Sequence, residues 1–241
     1  MTIHLDVLPK PLSGYEDEFE QLIELLDSAQ WAPPKTASSY IIIKSTGLFG
    51  WGKKKRVFDF EAANARLDEI SEPCYTHLGA PIVGKDLEAD EWLKKAFARK
   101  ELDAKNETEA LQKFKGLYAL DVLPVCDGFP VYSASTWNKG YDRTIFYGPV
   151  FEACESLIGK ELSEGIYGPL FASELAIWSK KLRSWADEFA KINNLEAILG
   201  DRNFKSDRDP DVSLHIVDQM ARWSQFWSSK GHGSIPRFVF E

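Results

Sequence analysis

Between Cys126 and Arg143 the sequence reads CDGFPVYSASTWNKGYDR, which places a thiol, two carboxylates, two cations and several amphipathic rings in one Gly- and Pro-punctuated stretch. Nucleophilic catalysis at Cys126 would need a thiolate, and the neighbouring Asp127 carboxylate opposes its formation. No G-x-S-x-G or C-G-S-C-W signature occurs to mark a serine or cysteine nucleophile elsewhere. Recognition fits the residue types better. Tyr132, Trp137 and Tyr141, set among Asp127, Asp142 and Arg143, have the aromatic-plus-arginine makeup of a binding patch. Connections of this length are uncommon in compact domains and often carry function. The competing reading is that these rings fill the gap between a sheet and the helices that follow.

Other candidate chemistries are weaker. Histidines stand only at 4, 77, 215 and 232 and no CxxC occurs, so neither a ligand pair nor a zinc site is expected. Asp207, Asp209, Asp211 and Asp218 have spacing that resembles a calcium loop. Val212 stands where the sharp turn needs Gly, and the bidentate Glu is missing. The tract Lys53 to Arg56 follows Gly47, Gly50 and Gly52 but matches no phosphate loop or dinucleotide fingerprint; it reads as a solvated hairpin tip. No metal and no cofactor is expected. A carboxylate pair for hydrolysis could be drawn from the 37 acids, but nothing in the spacing singles one out.

These residues need elements to hold them. TIHLDVL alternates as a strand, and Phe19, Leu22, Ile23 and Leu26 recur at helical spacing over 15–30. SYIIIKS and RVFDF form a hairpin, followed by a short helix through EAANARLDEI. LEADEWLKKAFARK and NETEALQKFKGLY are helical, the second opened by an Asn106–Glu109 capping box. YALDVLPV has strand character, and its LDVLP echoes residues 5–9; two similar strands explain that echo better than a duplication.

GPVFEACESLIG predicts a helix with Cys154 on its apolar face. In the next helix Phe171, Leu175, Trp178, Leu182, Trp185, Phe189 and Ile192 form a long apolar seam. The last helix starts with Asp209 as N-cap and Pro210 in its first turn, and SIPRFVF closes the chain as a strand.

The fold class this pattern predicts is α+β, with an antiparallel sheet in the N-terminal half and a helical C-terminal half. One compact domain over 1–241 is expected. Any sub-division would fall between a strand-rich part, 1–125, and a mainly helical part, 126–241. A formal charge of −8 argues against nucleic-acid binding, and no apolar run of membrane-spanning length occurs. An odd, dispersed set of three cysteines and an N-terminus without a secretory signal point to the cytoplasm. The expected function is non-enzymatic protein binding, of a partner-neutralising or immunity type. The alternative is a hydrolase acting through carboxylates of the 126–143 region.

Overall fold

The computed structural model describes residues 2–31, 40–45, 54–133 and 143–239. Strands β1 (Thr2–Val7) and β2 (Lys10–Pro11) precede helix α1 (Glu16–Trp31) and the pair β3 (Ile41–Ser45) and β4 (Lys54–Phe58). Helix α2 (Phe60–Glu69), β5 (Ser71–Glu72), the single turn α3 (Cys74–His77), and helices α4 (Leu87–Ala98) and α5 (Glu107–Phe114) follow. After a 3-10 turn at Leu120–Val122 come β6 (Phe146–Tyr147) and the short helices α6 (Gly148–Glu152), α7 (Glu155–Ile158) and α8 (Lys160–Ser163). Two long helices, α9 (Ala172–Asn193) and α10 (Asp209–Ser229), lead to the closing strand β7 (Ser234–Val239). The architecture is α+β, with small antiparallel sheets and a helical C-terminal half, as the sequence predicts.

The chain forms two compact units, Pro9–Pro73 and the remainder. In the first, β2 pairs antiparallel with β5 and β3 with β4. Helix α1 buries Phe19, Leu22, Ile23 and Leu26, the stripe its periodicity predicts. Asp59 caps α2 by accepting the Ala62 N–H at 3.1 Å. Arg66 of α2 donates to Glu18 at 2.7 Å and to Glu69 at 3.0 Å.

In the second unit β1 is the middle strand of a three-stranded antiparallel sheet, between β6 and β7. The register sets His4 opposite Tyr147 and Leu5 opposite Pro236. Ile3 and Leu5 point into the core, which is the period-two alternation of a half-buried strand. A Cβ at Gly148 would collide with the Ile3 carbonyl, so the chain can enter α6 this close to β1 only with glycine there. The main core gathers Leu5, Phe146 and Phe151 with the facing stripes of α9 and α10. Trp223, fully buried, donates its indole N–H to the Thr144 carbonyl at 2.7 Å. A second core lies around α4 and α5, centred on Val83, Trp92, Leu93 and Ala110.

Three local expectations are corrected. The segment 120–124 is not a strand: Leu120–Val122 is a 3-10 turn, although LDV at 5–7 is a strand. GPVFEACESLIG breaks into two short helices, α6 and α7, with Gly159 after the second at φ +82°. The seam of α9 holds at Leu175, Trp178 and Leu182, then passes to Ala186 and Ala190, leaving Ile192 at 71% exposure. Side chains spaced at an average of 3.5 residues drift by about 20° per heptad on a straight helix of 3.6 residues per turn. Trp185 and Phe189 stay half-buried, stacked on each other and packed against the core, and by Ile192 the seam has rotated out of the interface.

Candidate functional site

The middle of α10 is buried on all sides from Leu214 to Ala221, and within that run stands Asp218, a carboxylate with no solvent exposure. Burying a charge is costly unless it is paired and hydrogen-bonded, and Asp218 is both. Arg183 of α9 donates to its Oδ1 through a short bond. Arg222, one turn along α10, donates to Oδ2 at 3.0 Å, the Gly200 N–H at 2.9 Å and the Gln219 amide at 3.3 Å. Gly200 adopts φ +78°, and a Cβ there would come within 2.6 Å of the Arg222 guanidinium. The α9–α10 connection therefore needs glycine at this point.

The two arginines differ in what lies beyond Asp218. Arg222 also faces Asp127, at 3.9 Å, and Arg202 approaches the same carboxylate at 3.8 Å. Arg202 further donates to the Phe129 carbonyl. The CDGF turn is held from one side by these cations and from the other by the Phe226 ring, against which Gly128 has no room for a Cβ. Arg183 has only Asp218 as a hydrogen-bonding partner among the described residues, and its outer side borders a groove between α9 and α10.

That groove has a volume of about 490 Å³ and runs past Ala176, Lys180, Arg183 and Ser184 of α9 and Gln225 and Ser228 of α10. None of its lining residues is acidic. Ser179 donates its hydroxyl to the Ala221 carbonyl at 2.9 Å, Ser228 to Gln225 at 3.2 Å and Ser229 to Phe226 at 2.7 Å. Lys180 and Ser184 also edge a second, wider depression whose walls include Ile158, Leu162 and the exposed Ile177. Lys181 and Glu161, paired at 2.9 Å, also line it.

The candidates taken from the sequence divide. Trp137, Tyr141 and Asp142 lie outside the described residues. Asp127 faces Arg202 and Arg222. Arg143 donates to the Leu120 carbonyl at 2.8 Å, lies 3.6 Å from Asp121, and sets its guanidinium 4.4 Å from the centre of the Phe129 ring. Tyr132 meets His215: its hydroxyl is 2.8 Å from Nδ1, while Nε2 is 2.6 Å from the Asp201 carbonyl. A carbonyl can only accept, so Nε2 carries the proton and the tyrosine donates to Nδ1. Both ring nitrogens of a neutral imidazole are thereby used, Phe204 stacks on its face at 4.6 Å, and burial holds its pKa below the ordinary histidine value.

Other reactive groups are turned inward. Burial pushes the Cys74 thiol up to about 12 and the Cys154 thiol up to about 11. Cys154 sits in the main core, as its apolar spacing predicts, although it lies at the break between α6 and α7. His232 donates from Nδ1 to the Leu8 carbonyl at 2.8 Å, so its Nε2 accepts from His77 Nδ1 at 2.9 Å. The pair spans 155 residues and escapes any search for local spacing. Among the described residues no three His, Cys, Asp or Glu side chains form a metal-binding group, and no helix is long and apolar enough to cross a membrane.

Lys180, Arg183 and Arg222 were not among the sequence candidates, and Asp218 entered only through the calcium-loop spacing, whereas here it pairs with arginines. The available signal was Asp218 itself, an acid on an apolar stripe with an arginine four residues on. No protein-family model, curated protein or solved structure matches this chain, so the reading of the site rests on its own geometry.

Proposed function

We propose that this chain is a non-enzymatic protein-binding protein whose partner docks on the exposed face of α9 and α10. The observation that carries the reading is the pair of adjoining depressions there, one with only cations among its charged lining residues and one where Ile158, Leu162 and Ile177 lie beside the Lys181–Glu161 pair, with Arg183 fixed between solvent and a fully buried carboxylate. A cation held in one orientation before the partner arrives loses little freedom on binding, which favours affinity and specificity. An apolar depression beside it supplies area to desolvate. The partner-neutralising role anticipated from composition is compatible with this face and remains part of the proposal, as does a cytoplasmic setting.

A hydrolase acting through carboxylates finds less support. Asp127, the described acid of the 126–143 stretch, faces two arginines. The raised cysteine and tyrosine hydroxyl pKa values belong to groups whose burial favours the protonated form.

The test is capture from the cell that makes the protein, with the full chain and with a Lys180→Glu/Gln225→Ala double variant. Both changed side chains are exposed, so the fold should survive. A partner retained by the wild type and lost by the variant supports the reading. The same partners recovered at the same yield with both chains would refute it.

A further inference from the structure

Resting on that reading, we propose that the groove takes a carboxylate carried on a peptide, an Asp or Glu side chain of the partner with apolar neighbours, and not a phosphoryl group. Ser179, Ser228 and Ser229 all donate to helix carbonyls, so towards the groove they offer lone pairs. Turning any of the three hydroxyls towards the groove breaks its bond to the backbone. The anion-binding donors are therefore few: the Arg183 fork, of which one N–H is committed to Asp218, the Lys180 ammonium, the Gln225 amide and the Ser184 hydroxyl.

That set suits a carboxylate, whose two oxygens a guanidinium and one ammonium can satisfy. A phosphoryl group brings three oxygens and a charge of about −1.5 to −2, and some of those oxygens would meet serine lone pairs instead of donors. Peptide N–H groups, by contrast, are donors, and the serine oxygens accept them. The rest of the surface fits the same ligand. Ala176 and the methylene stems of Lys180 and Arg183 give the groove carbon walls for the methylenes of a Glu. Next to it, Ile158, Leu162 and the 58% exposed Ile177 offer an apolar seat for a neighbouring side chain. The shared edge of Lys180 and Ser184 sets the acid and the apolar residue side by side.

The experiment is a titration of the isotope-labelled full chain, followed by NMR at the Arg183 Nε–H and the Gln225 side-chain amide. Three probes are compared: the blocked peptide acetyl-Ala-Leu-Glu-Leu-Ala-amide, its Gln isostere, and inorganic phosphate. The acidic peptide should give saturable shifts at both groups, with the isostere and phosphate each weaker by about ten-fold or more. Lys180→Glu, a change at an exposed position that offers Arg183 an intramolecular carboxylate, should weaken the acidic peptide by about ten-fold or more as well. Phosphate binding as tightly as the peptide, an isostere binding equally well, or no saturable shift with any probe would overturn the proposal. These results separate from the capture result. A partner lost on the double variant with no preference for the acidic peptide sinks the carboxylate chemistry alone, whereas selective peptide binding with capture unchanged sinks the docking role.

Discussion

Asp218 holds two guanidinium groups with one buried carboxylate, so its substitution tests whether the hub organises its surroundings. Asp218→Asn keeps the shape and removes the charge, leaving Arg183 and Arg222 without their common counter-ion. Breaking a buried pair in this way costs about 3–5 kcal/mol. The arginines are 26% and 30% exposed, which places the expected loss at the lower end of that range. Asp127→Asn should cost under about 1 kcal/mol, because its ion pairs are long and half-solvated. Urea unfolding of the two variants reads the difference directly.

His215 makes a second prediction. Its folded pKa lies below its unfolded value of about 6.5, so the native state prefers it neutral. Its contribution to stability is therefore complete above that value and lost as pH falls through the folded pKa. Unfolding free energy should drop, as pH falls below about 6.5, more steeply in the wild type than in His215→Asn. Equal slopes would show that the imidazole is not held neutral. The thiols make a third. At about pH 8 Cys74 and Cys154 are buried and protonated while Cys126 is partly exposed, so a disulfide reagent should modify one of three thiols quickly and the others only on unfolding.

At the scale of elements, the α9–α10 connection depends on Gly200. Gly200→Ala forces a side chain into a positive-φ position and against Arg222, and should destabilise by about 1–3 kcal/mol. An unchanged melting temperature would mean that the turn relaxes at no cost. The long helices were legible because their apolar residues recur at helical spacing, and the N-terminal strand because its burial alternates. What escaped follows from context that spacing does not carry. LDV is a strand at 5–7, where β7 supplies a full partner ladder, and a 3-10 turn at 120–122, so local propensity did not decide. The predicted α9 seam fails at its last residue, Ile192, because seven does not divide evenly into helical turns. In the candidate site, Asp127, Tyr132 and Arg143 were chosen for residue type, but their partners Arg202, His215 and Leu120 come from distant segments. Lys180 and Arg183 read from sequence as the polar face of a helix. Only the buried Asp218 on the neighbouring helix distinguishes Arg183 from an ordinary solvated cation.

For the whole molecule, a formal charge of −8 surrounds a groove whose charged lining residues are cations. That contrast favours a partner presenting an isolated acid within an apolar or basic surface, since a uniformly acidic partner would be repelled by the rest of the chain. Association should accordingly weaken as salt screens the Arg183 and Lys180 contact, within a Debye length of about 8 Å at physiological ionic strength. The most direct measurement is a calorimetric titration of the purified captured partner into the wild-type chain and into Lys180→Glu. A saturable complex is expected with the wild type, recovered with the partner chemically unchanged, and an affinity about ten-fold or more lower for the variant. Equal affinities, or a partner cleaved during the titration, would contradict that expectation.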